Sequence, residues 1–175
     1  KKWAVPELNC CGFFVEQPIE YKGRWREAFP HPEYPICLEL GCGKGSFAAQ
    51  MGIVYKETNF LAIDLISDML GVGQRNIKKL YADHQRPVDN IRLTAHDIER
   101  LPLIFSETDC FDLITFFDKC CIISIKQHGV SLVDLHDLID NLIKKIAVMG
   151  HHHQSALETA EPVLQPRGHF RVQMV

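Results

Sequence analysis

Leu38-Glu39-Leu40-Gly41-Cys42-Gly43-Lys44-Gly45-Ser46 decides the reading of this chain. Three glycines at alternate positions follow a short apolar run, and a helix-like pattern follows them. Glycines so placed let a chain turn sharply off a strand and let backbone come close to a ligand without a Cβ in the way. The dinucleotide fingerprint needs glycines at its first, third and sixth positions. Here the sixth position is Ser46, so a nicotinamide cofactor is disfavoured. A phosphate-gripping P-loop fails too, because four residues do not separate two glycines ahead of a Lys-Ser or Lys-Thr pair. Glu39, just ahead of the turn, would repel a phosphate and suits a cationic ligand.

Outward from the turn, the chain repeats one unit. Residues 36–40 read as a buried strand and 47–54 as its helix. Residues 59–63 read as a second strand, and 67 to about 81 carry Met69, Leu70, Ile77 and Leu80 on one helical face. Residues 91–94 and 111–117 read as third and fourth strands. Strands alternating with helices imply an α/β fold with a mostly parallel sheet. A further helix is expected over 131–149, where Leu135, Leu138, Ile139, Leu142 and Ile146 recur at helical spacing behind a Ser131/Asp134 capping box. The alternation of 168–175 suits a last strand. Residues 1–35, rich in proline, read as an irregular arm ahead of a domain over 36–175.

Composition narrows the class. The chain has 175 residues, 46% hydrophobic and 23% charged, with a net charge of −3. One soluble domain is the expectation, without a membrane span or secretory signal. Overall charge does not favour nucleic acid, so such a partner needs a local basic patch. Seven cysteines, with no Cys-x-x-Cys, read as reduced cytoplasmic thiols. Cys42 reads as a packing residue, because no histidine stands near it in sequence to activate it. The triplet His151 to His153 lacks a ligand partner at metal spacing, so no metal is expected.

Glu39, Asp64 and Asp97 stand at the ends of three successive expected strands, along the edge where open α/β sheets bind ligands. S-adenosylmethionine carries an ammonium and a sulfonium but no phosphate, which answers the acid before the turn. Asp64 can accept both hydroxyls of a ribose, and Asp97 stands where it can meet an adenine amino group.

These residues resemble a Rossmann-like class I S-adenosylmethionine-dependent methyltransferase. More narrowly, the chain resembles the bacterial tRNA (guanine-N7)-methyltransferases. The narrower likeness rests on Lys2-Trp3-Ala4-x-Pro6-Glu7, on Tyr21-Lys22-Gly23-Arg24-Trp25, and on residues 38–46 taken with Asp64 and Asp97; it covers about residues 1–113. It implies that Glu39 and Gly41 hold the methionine end of the cofactor, Asp64 the ribose and Asp97 the adenine, with Gly43 and Gly45 also among the cofactor-binding residues. It further implies tRNA as substrate, a cytoplasmic enzyme, and a monomer or homodimer.

Beyond Asp112 the sequence departs from that family. An Asp-Pro-Trp-Pro-like loop and a basic stretch are expected there, yet the only tryptophans are Trp3 and Trp25. Phe116-Phe117-Asp118-Lys119-Cys120 takes the loop position instead. Asp118 is then the one acid placed to orient a guanine. Lys2, Lys22 and Arg24 are candidates for tRNA phosphates, and Trp3 and Trp25 either stack on bases or bury against the core. Residues 114–175 balance six basic against six acidic side chains. An incomplete C-terminal part of the sheet is expected, and two alternatives stay open. One is a methyltransferase acting on another substrate. The other is an inactive S-adenosylmethionine-binding fragment with a truncated or frame-shifted C-terminus.

Overall fold

The computed structural model describes the backbone of residues 1–118, 121–130 and 172–174, and the side chains of residues 1–115. Its heart is the expected alternation. Strand β2 (Ile36–Leu40) leads through the glycine turn into α2 (Ser46–Val54). Strand β3 (Asn59–Asp64) leads into α3 (Ser67–Asp83), and β4 (Ile91–Ala95) precedes a 3₁₀ turn at Ile98–Leu103. Then comes β5 (Phe111–Asp118). Strands β2 and β3 run parallel from Ile36 opposite Asn59 to Leu40 opposite Ile63, and β3 and β4 are likewise parallel. Strand β5 lies parallel to β2 on its other side.

These strands are buried on both faces, which is why they read as apolar runs. Side chains alternate across the sheet. Ile36, Leu38, Leu40, Leu61 and Ile63 therefore join one core with Trp25, Phe29, Phe105 and Ile114. Cys37, Phe60, Ala62 and Leu93 join the other, against Ala48, Leu70, Ile77 and Tyr81 of the helices. Glu39 shares the parity of Cys37, so it points to the α2 side.

The arm departs from the irregular chain expected of it. Residues Ala4–Asn9 form α1, which packs on α3, and Phe14–Val15 form β1, which pairs parallel with β4 at the sheet edge. The chain crosses there from one face to the other: Leu8 and Phe13 belong to the helix-side core, Val15 and Trp25 to the opposite one. Two 3₁₀ turns, Pro18–Tyr21 and Trp25–Ala28, then cover that second face. Proline content does not preclude this, because a locally irregular arm can still bury apolar side chains, here Ala4, Leu8, Phe13, Val15, Trp25, Ala28 and Phe29.

Strand β5 runs one residue past its expected end, and β6 (Cys121–Val130) returns antiparallel beside it. Strand β7 (Val172–Met174) lies within the stretch expected to be extended and pairs antiparallel with β6. Among the described residues the sheet therefore has seven strands in the order β1-β4-β3-β2-β5-β6-β7. The helix expected over 131–149 and the triplet His151 to His153 lie outside the described residues.

A polar plug fixes the amino end of β4. Asn90 shares its amide hydrogens among the carbonyls of Gly52, Tyr55 and Thr58, closing the end of α2, and accepts from the Tyr81 hydroxyl at 2.7 Å. Both residues are buried. Tyr81→Phe leaves the Asn90 oxygen without its donor, and a stranded buried acceptor costs about 1–3 kcal/mol. Denaturant unfolding of the variant against the parent is expected to show that loss; equal midpoints would mean the bond contributes nothing.

Candidate functional site

From β2 the chain goes to β3 on one side, while β5 lies on the other. This is a topological switch point, and open α/β sheets bind ligands over the carboxyl ends of the strands at such a point. The glycine turn lies at that end of β2. Gly41, Gly43 and Gly45 have φ of 74°, 56° and 63°, left-handed values that side chains resist. The turn is tied down from beneath: the amides of Gly41 and Cys42 both donate to the Ile63 carbonyl, at 2.9 and 3.0 Å.

Glu39 is fully buried at the base of this turn. Its Oε2 accepts the Ala48 amide of the first turn of α2 at 3.2 Å, while Oε1 is buried without any partner. Among the described residues no basic side chain pairs with it. Burial pushes its carboxyl up to about 8, the Ala48 amide opposes this, and the nearby Asp64 charge adds to it. Such a buried oxygen is costly unless something donates to it. A cationic donor such as an ammonium would satisfy it and draw the proton off the carboxyl.

Asp64 ends β3 and is half-buried. Its Oδ2 accepts the Gly43 amide at 2.7 Å and its Oδ1 the Ile66 amide at 2.8 Å. It thus braces the turn from the neighbouring strand, and each oxygen keeps a lone pair for a further donor. Asp97 lies just past β4, where it caps the 3₁₀ turn by accepting the Glu99 amide at 3.0 Å, with Arg100 3.8 Å away. Asp118 is the last residue of β5, at the same carboxyl edge. The structure thus gathers Glu39, the three glycines and Asp64 around one turn, with Asp64 bonded to Gly43 and Glu39 to the helix that follows, and sets Asp97 and Asp118 along the rim of strand ends.

The basic candidates do not gather. Lys2 is exposed beside α1 on the helix side. Lys22 and Arg24 sit on the other face: Lys22 donates to the Pro102 carbonyl at 2.6 Å, and Arg24 to Glu20 and Glu27. Of the two tryptophans, Trp25 is buried and donates its indole N–H to Ile104 at 2.8 Å, so it does not stack on a base. Trp3 lies under the Arg75 guanidinium, 3.5 Å from ring centroid to guanidinium carbon. Cys42 is buried, and burial followed by the charges of Glu39 and Asp64 pushes its thiol well above the usual range; it is a packing residue.

Sequence reasoning missed Asp109 and Asp112. Asp109 accepts the amides of Gly23, Trp25 and Ser106, while Asp112 accepts that of Ile36 and pairs with Arg26. Both tie the arm to the start of β5, and no local pattern marks an acid whose arm partners lie over 80 residues away. Among the described residues no group of His, Cys, Asp and Glu could hold a metal ion, and no helix is long and apolar enough to cross a membrane.

A family model described as a methyltransferase domain matches residues 35–175. The tRNA (guanine-N(7)-)-methyltransferase of Clostridium beijerinckii is 47% identical over 109 residues, 62% of this chain and 49% of its own length. The protein of that name from Clostridium perfringens is 41% identical over 114 residues, 65% of this chain and 52% of its own. That from Ruminiclostridium cellulolyticum is 41% identical over 115 residues, again 65% of this chain, and 48% of its own. The chain spans about half the length of the curated relatives it matches.

Proposed function

The chain belongs to the methyltransferase-domain family, and from that premise we propose that it transfers a methyl group to N7 of a guanine in tRNA, as the names of its relatives suggest. The methyl donor is S-adenosyl-L-methionine, which supplies an electrophilic methyl group on a sulfonium. Support for its place comes from the buried, unpartnered Oε1 of Glu39 beneath the glycine turn. Glu39 takes the ammonium of the methionine end, with the backbone of Gly41, Gly43 and Gly45 against it. Asp64 takes the ribose hydroxyls, and Asp97 the adenine amino group.

Guanine N7 has a lone pair and no proton to remove, so no general base is needed. The protein's task is alignment, from which much of the barrier reduction can come. Asp118 holds the amino and imino edge of guanine and offsets charge developing on the ring. Lys2 contacts tRNA phosphates from the helix side of the sheet and Lys22 and Arg24 from the other face, in a cytoplasmic setting.

Incubating the protein with unmodified tRNA and methyl-labelled S-adenosylmethionine tests this, with label expected at guanine N7. Label in some other component of a cell extract would replace the substrate. Binding of S-adenosylhomocysteine with no label transferred to any component would overturn the proposed activity and leave a cofactor-binding protein.

A further inference from the structure

Helix α3 carries two glycines two residues apart, Gly71 and Gly73, and positions so spaced project to nearly opposite sides of a helix. A methyl group placed on Gly73 would lie 2.9 Å from both the carbonyl carbon and the oxygen of Lys44, the residue between the last two glycines of the turn. One placed on Gly71 would press on the Ala4 carbonyl oxygen in the arm and lie 2.6 Å from its carbon. The helix is therefore a wedge, with the turn seated on one side and α1 on the other.

The turn side is built in register. Met69, Gly73 and Ile77 recur four residues apart, which aligns them along one stripe. They face Gly43, Lys44 and Gly45 in that order: a Cβ on Gly43 would lie 3.9 Å from Met69 Cε, and one on Gly45 would lie 3.1 Å from Ile77 Cδ1. The arm side has its own set. Glu7 pairs with Arg75 and accepts from Gln74, and Trp3 stacks under Arg75.

We infer that Gly73 is a positioning residue for cofactor binding: its bare Cα seats the Lys44 backbone against α3 and so holds the glycine turn in the left-handed course that receives the methionine end. Gly71 does the corresponding work for the arm and leaves the turn alone. The inference rests on the reading that the turn holds S-adenosylmethionine. A side chain on Gly73 must displace Lys44 backbone, because carbonyl atoms have no rotamer to retreat into. Alanine is also the better helix former, so the strain falls on the turn and not on α3.

The test is calorimetric titration of S-adenosylhomocysteine into the full chain and its Gly73→Ala, Gly71→Ala and Ile77→Val variants, with a thermal melt of each. Gly73→Ala is expected to bind about tenfold more weakly with little change in melting temperature, since small misplacements of a binding group cost affinity steeply. Gly71→Ala is expected to bind as the parent does, while its first dozen or so residues become open to protease. Ile77→Val trims the methyl group against Gly45 and is mild enough to fold, so it keeps the inference testable if Gly73→Ala does not fold; about threefold weaker binding is expected. A parent that fails to bind overturns the reading of the turn and this inference with it. A parent that binds, with Gly73→Ala or Ile77→Val within about 1.5-fold of it, overturns this inference alone. So does equal weakening by Gly71→Ala and Gly73→Ala.

Discussion

Replacing Glu39 by glutamine is expected to weaken S-adenosylhomocysteine binding by about a hundredfold, the usual result of removing one member of a buried, hydrogen-bonded charge pair. The same change should erase the pH dependence of binding. In the parent, burial first and the charge of Asp64 after it push the Glu39 carboxyl up to about 8. Near neutral pH the carboxyl therefore holds its proton, and pairing with an ammonium requires that it be lost. Affinity is expected to rise by up to about tenfold per pH unit from roughly pH 6 toward 8 and then level off. Calorimetry across that range checks it, and a flat profile in the parent would remove Glu39 as the ammonium's partner.

The stability of the free protein carries the matching signature. A carboxyl whose folded value lies above its unfolded value costs nothing below about pH 4, where both states hold the proton. As pH rises toward 8 the unfolded chain ionises and the folded one resists, so stability falls across that window, by on the order of 5 kcal/mol for a group this buried. Glu39→Gln keeps an oxygen for the Ala48 amide and carries no such penalty. It is therefore expected to melt above the parent at pH 8 and beside it near pH 4. Weaker ligand binding together with a more stable fold would mark Glu39 as a group held under strain for a ligand.

How much of this was legible beforehand follows from the range over which each signal acts. The turn, its flanking strand and helix, and the two acids that touch it lie within residues 36–64 and announce themselves through spacing. Two features were not legible. The direction of the Glu39 side chain depends on strand parity, which is set only when β2 is paired on both sides. A glycine inside a helix marks nothing by itself but a weaker helix former; the purpose of Gly71 and Gly73 is visible only once Ala4 and Lys44 are seen pressed against them. The arm is the plainest case. Its prolines and lack of apolar period hid a strand at the sheet edge, while the choice between stacking and burial that the sequence left open for Trp25 is decided by a core assembled from distant residues.

Removal of the Trp25 side chain is expected to be the most damaging single change to the fold. The indole is 1% exposed, packs edge-on against Phe105 at 5.6 Å between ring centroids, and donates to the Ile104 carbonyl. Phe105 in turn meets Phe111 at 4.9 Å, at the start of β5, so one aromatic chain links the arm to the strand beside β2. Trp25→Ala opens a cavity under that face of the sheet and strands the Ile104 carbonyl, for about 3–5 kcal/mol in all. In a chain of this size each kcal/mol lowers the melting temperature by about 2–4 °C, so a fall of roughly 10 °C or more is expected. Trp25→Phe fills most of the space but cannot donate, and should fall between alanine and parent. The loss has a second consequence, because the Trp25 and Gly23 amides both anchor on Asp109. Once the indole no longer holds the arm to its core, Lys22 and Arg24 lose their fixed place on the surface. If those residues meet tRNA phosphates, Trp25→Phe, which folds, should weaken tRNA binding while leaving S-adenosylhomocysteine affinity near that of the parent. Equal loss of both would show that the arm acts on the whole fold. No loss of tRNA binding would take Lys22 and Arg24 off the substrate surface.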